Sequence, residues 1–158
     1  MKSEALKVSA VVPAEPAEVF SAWLNSKAHT EFTGGGRATA SPRVGGAFTA
    51  WDGYIRGRNL ELVPGRRIVQ SWRSTEFPED VGDSRLEVTL ARTAQGTRVT
   101  LKHSKIPAGQ AKQYETGWVD YYLAPMKTYF ARRPKKAAVS KTRRPPVSRN
   151  RRKTAKAK

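Results

Sequence analysis

Cysteine is absent from the 158-residue chain, which removes disulfides, thiolate metal ligands and thiol nucleophiles together. Histidine is scarce: His29 and His103 lie far apart, with no HxxxH spacing and no aspartate cluster, so neither a metal site nor a cofactor is expected. No apolar run reaches membrane-spanning length, and Met1 to Val12 lacks the apolar core of a secretory signal. A soluble cytoplasmic protein without a membrane span is the expectation. The triplet Gly34 to Gly36 is followed by Arg37 and Ala38 instead of Lys and Ser or Thr, so it reads as a loop and not as a phosphate cradle. A paired acid and base is missing too, because the spacing of Glu115 and Asp120 puts them on different faces of a helix. No catalytic residue is assigned, and the chain is not expected to be an enzyme.

One stretch lacks negative charge altogether. Of the 30 Lys and Arg residues, 13 lie between Arg132 and Lys158, where there is no Asp or Glu; the preceding residues hold 17 basic against 13 acidic side chains, a net charge of about +4. Only Val139 and Val147 offer larger aliphatic groups in that tail, so it repels itself and has little to bury. The expected division is one domain over 1–131 and a disordered, Lys/Arg-rich tail over 132–158.

Within the domain, hydrophobic periodicity switches twice. Leu6, Val8, Ala10 and Val12 alternate as in a half-buried strand that Pro13 ends. Pro16 opens a helix through Leu24, and a second short helix is expected from Ser26, as its cap, to Phe32. Turn signals then recur every eight to twelve residues or so, separating candidate strands at 37–41, 47–51, 54–63, 66–75, 84–93 and 97–106. Leu86, Val88 and Leu90 fall on one face of the penultimate strand; Val99, Leu101 and His103 fall on one face of the last. From Ala108 to Phe130 aromatic residues recur at spacings of three and four, which predicts a long helix across the concave face of the sheet, kinked near Tyr121 by Pro125.

Strand, helix pair, meander and long C-terminal helix is an α+β order. Its residues are more specific: Val44-Gly45-Gly46-Ala47-Phe48, Asp52-Gly53, the run Leu62 to Arg73, Phe77-Pro78-Glu79, Gly96-Thr97, Ile106-Pro107, Gly117-Trp118 and Tyr121-Tyr122. Over Leu6 to Phe130 this succession resembles the C-terminal domain of activators of heat-shock protein 90 ATPase, within the START-like (SRPBCC) helix-grip superfamily. The resemblance implies a curved antiparallel sheet wrapped around the long helix, and a non-catalytic protein that binds a small apolar ligand or a heat-shock protein 90 type chaperone. The eukaryotic activators carry a separate N-terminal domain for the chaperone's middle segment, and no counterpart is expected before Leu6. A START-like cyclase-type enzyme is the alternative in another class.

Candidate sites follow from both readings. Trp51, Trp72, Trp118 and Tyr121, with Phe20, Trp23 and Phe32, could line a cavity or simply fill the core. His103 could anchor a ligand or carry a proton there, or be a satisfied buried histidine with no partner assignable from sequence; His29 reads as surface. In the tail, Arg143, Arg144, Arg149, Arg151, Arg152 and Lys153 suit phosphate backbones or anionic surfaces, without rings for base stacking, which raises a second alternative of non-specific nucleic-acid association and a nucleoid location.

Overall fold

A computed structural model describes residues 3–132. Six strands form one antiparallel sheet: β1 (Ser3–Val12), β2 (Ala47–Ala50), β3 (Ile55–Val63), β4 (Arg67–Ser74), β5 (Ser84–Thr93) and β6 (Gly96–Pro107), in the order β1-β6-β5-β4-β3-β2. Two helices, α1 (Pro16–Trp23) and α2 (Ser26–Phe32), connect β1 to β2, and the chain returns across the inner face through α3 (Ala111–Trp118), a π-helical turn (Val119–Leu123) and α4 (Ala124–Arg132). The α+β helix-grip plan is therefore present.

The inner face is set by alternation. Leu86, Val88 and Leu90 pair across the ladder with His103, Leu101 and Val99, and all six are buried. Thr100, Arg98 and Lys102 occupy the opposite face, where long cationic side chains stay in water. A bulge between Asn59 and Glu61 leaves Leu60 unpaired and about half exposed. Asn59 itself turns inward, where its amide holds the Ser41 and Arg43 carbonyls, both at 2.8 Å.

Three elements differ from the sequence expectation. Residues 37–41 form no strand beyond a single Thr39–Thr49 bridge, so five strands and not six follow the helix pair. Two of this segment's backbone donors go instead to α2 side chains: Ala38 N–H to Thr30 Oγ1 at 2.9 Å, and Ala40 N–H to Ser26 Oγ at 2.8 Å. Ser26 is thus occupied as a brace, and the cap of α2 is Asn25, whose Oδ1 accepts the Ala28 N–H at 2.9 Å. The long helix starts at Ala111, not at Ala108, because Gly109 takes a left-handed φ of 86° and Gln110 N–H closes a turn onto the Pro107 carbonyl. It is interrupted at the expected place. Pro125 withdraws the donor that would meet the Tyr121 carbonyl, and the backbone widens into a π turn that bonds Ala124 N–H to Val119 O.

Candidate functional site

Between the sheet and α3 lies a cavity of about 420 Å³. Trp72 and Ile55 reach it from the sheet, Trp51 and Tyr54 from the β2–β3 turn, and Tyr114, Gly117, Trp118, Tyr121 and Tyr122 from the C-terminal helical run. Seven of its ten lining residues are aromatic, and among the described residues no Lys, Arg, Asp or Glu lines it. Trp72 and Trp118 are buried with ring centroids 5.8 Å apart, whereas Tyr121 is 59% exposed and stands at the mouth, edge-on to Trp51 at 6.0 Å.

The mouth is built from unusual backbone. Trp51 and Asp52 both hold left-handed φ angles, 53° and 59°, and Gly53 follows at 92°. A bulky residue in this region is sterically disfavoured. The turn is kept by Asp52 N–H to Arg37 O at 2.9 Å and Tyr54 N–H to Trp51 O at 3.1 Å. Gly36 seats the ring: any Cβ there would overlap the six-membered ring of Trp51.

Behind the walls, hydrogen bonds fix two rings. The indole N–H of Trp118 can only donate, so His103 Nδ1, 3.1 Å away, accepts. Nε2 then carries the proton and donates to Ser84 Oγ at 2.8 Å, and the Ser84 hydroxyl donates onward to the Trp72 carbonyl at 2.6 Å. His103 is fully buried, and burial lowers its pKa to about 3. Ser84 is the partner that the sequence did not assign. His103 does not line the cavity; it stands one layer back and holds Trp118, which does.

His29 is a correction to the surface reading. It is buried, its Nδ1–H donates to the Trp23 carbonyl at 2.8 Å, and its Nε2 accepts from Tyr122 Oη at 3.0 Å. Burial lowers its pKa to about 4 against a smaller opposing contribution from the Trp23 carbonyl. Trp23 and Phe32 pack around this imidazole and Phe20 is half-buried at the core's edge; none of the three lines the cavity. Trp23 instead donates its indole N–H to Gln70 Oε1 at 3.3 Å.

Of the expected cavity residues, Trp51, Trp72, Trp118 and Tyr121 therefore converge and His103 supports them. Tyr54, Tyr114 and Gln113 were not singled out. Tyr114 carried a signal in the aromatic stripe of the long helix, whereas Gln113 and Tyr54 join the rim only through the fold. Glu115 and Asp120 are both exposed. The tail residues Arg143, Arg144, Arg149, Arg151, Arg152 and Lys153 lie outside the described residues. Among the described residues, no helix is long and apolar enough to cross a membrane.

Comparison with known proteins places this architecture. An activator of 90 kDa heat shock protein ATPase homolog from Dictyostelium discoideum is 27% identical over 132 residues, covering 82% of this chain and 33% of the relative. The chain thus spans about a third of that relative's length. Among solved structures, an HSP90 activator from Plasmodium falciparum superposes with a TM-score of 0.73 at 22% identity, over 80% of this chain and 96% of that one. DynU16, from the dynemicin biosynthetic locus, superposes with a TM-score of 0.67 at 21% identity, over 81% of this chain and 47% of its own. At these identities the two structures speak for the START-like fold alone. The family model described as Activator of Hsp90 ATPase homolog 1-like protein matches residues 13–131, and the chain belongs to that family.

Proposed function

We propose that the domain is a non-catalytic binding module that holds a small apolar or aromatic ligand between the sheet and α3. The observation that carries this reading is the aromatic cavity of about 420 Å³, within the range of small-molecule sites. Gly117 adds to it. This residue sits inside α3, where glycine costs about 0.5–1 kcal/mol relative to alanine, yet nothing lies within 4 Å of where its Cβ would be. A side chain there would enter open space at the cavity wall. A broad thermal-shift screen combined with native mass measurement tests the reading: an apolar aromatic molecule should raise the melting temperature and be retained. A screen in which no such compound stabilises or stays bound removes the proposal.

A second reading, as a regulator of a heat-shock protein 90 type chaperone, is favoured by the family and by the name of the Dictyostelium relative. Stimulation of a bacterial-type heat-shock protein 90 ATPase by the purified chain is its test. Unchanged turnover at saturating protein retires it and leaves the ligand reading standing.

A further inference from the structure

At one edge of the cavity the lining residues Tyr54 and Gln113 meet Glu76, an exposed carboxylate just outside the lining, and nearly every proton there is already engaged. Tyr54 Oη donates to Glu76 Oε2 at 2.5 Å. Tyr114 Oη donates to Gln110 Oε1 at 2.7 Å, so Ser74 must be the donor in its 2.6 Å contact with Tyr114. Gln113 uses one amide proton on Glu76 Oε1 at 3.1 Å. What remains open is mainly acceptor capacity: further lone pairs on the Glu76 carboxylate, and Gln113 Oε1. Among the described residues the Trp72 indole N–H has no hydrogen-bond acceptor, and it is a neutral donor.

Charge separates these options. The hydrogen bond from Tyr54, then that from Gln113, holds the Glu76 carboxyl below the usual glutamate range, so it is ionised at neutral pH. Among the described residues no Lys or Arg forms an ion pair with it. The rings of Trp51, Trp72, Trp118 and Tyr121 present π systems, whose faces attract cations. Acceptors, one negative charge and aromatic walls together describe a site for a positively charged donor.

We infer that the cavity selects a ligand whose aromatic or alkyl body carries a protonated amine, with the body among the tryptophans and the ammonium at the Glu76–Tyr54 rim. This rests on the ligand-binding reading above. The net positive chain opposes a cation at long range, but at physiological salt such fields are screened beyond about 8 Å, while the rim contacts act at hydrogen-bond distance. The preference is therefore local and of moderate size.

Three probes of similar shape test it on the full chain: phenylbutylamine, phenylbutanol and phenylbutyrate, titrated by calorimetry at neutral pH. The amine should bind about tenfold tighter than the alcohol, and the carboxylate weakest of all. Glu76→Gln should bring amine and alcohol affinities together, mainly by weakening the amine. Gln113→Lys, which sets a cation beside the carboxylate, should do the same and serves if the first variant folds poorly. Equal affinity of all three probes for the unaltered chain overturns the amine preference and spares the ligand reading. Binding of none overturns both.

Discussion

The two buried histidines give the domain a pH dependence whose sign follows from their environments. His29 and His103 have folded pKa values of about 4 and about 3, lowered by burial from an unfolded value of 6.5. Both stay neutral in the fold, while the unfolded chain takes up protons as pH falls through 6.5. Their stability contribution is complete above 6.5 and is lost as pH falls towards the folded values. Each should cost about 2 kcal/mol at pH 5 relative to pH 7, from 1.36 kcal/mol per pKa unit. Urea unfolding at the two pH values should show a loss of about 4 kcal/mol; a flat profile would contradict neutral buried imidazoles. The loss reaches the cavity as well, because protonating Nδ1 of His103 would take away the acceptor that holds the Trp118 indole.

At the scale of elements, α3 carries the compromise. Gly117→Ala should stabilise the fold by about 0.5–1 kcal/mol, because alanine suits a helix interior and its Cβ meets no neighbour. A destabilised variant in thermal or urea unfolding would mean that the open space beside residue 117 is not there. How far such features could be read from sequence depended on where the partners lie. The faces of β5 and β6 were legible because Leu86, Val88, Leu90 and Val99, Leu101, His103 alternate locally. The segment 37–41 looked like a strand, but its Ala38 and Ala40 N–H groups go to the Thr30 and Ser26 side chains, which periodicity does not report. His29 looked exposed in a polar helix, yet the hydroxyl that satisfies its Nε2 belongs to Tyr122, 93 residues away. Ser84 and His103 are likewise joined only across the β5–β6 ladder, on which pattern alone assigns faces and not side-chain contacts.

On the scale of the whole molecule, two charge regimes share one chain. The stretch from Arg132 to Lys158 holds 13 of the 30 basic residues, and the alternative reading, that it binds nucleic acid without sequence preference, has its own test. Replacing Arg143, Arg144, Arg149, Arg151, Arg152 and Lys153 by glutamine should flatten the dependence of log affinity on log salt by about 5, from a slope of about 0.9 per phosphate contact. An unchanged slope would show that these six cations take no part. The role we propose for the domain rests elsewhere, on the aromatic cavity that the helix-grip plan leaves between its sheet and α3. Three of the four tryptophans line that cavity, so their emission reports occupancy directly. Tryptophan fluorescence titration with phenylbutylamine, on the unaltered chain and on Gly117→Phe, is the most direct measurement. Saturable quenching is expected in the unaltered chain and should be lost in the variant, whose ring occupies the cavity. Quenching that persists equally in Gly117→Phe, or none in either chain, would contradict a ligand site between the sheet and α3.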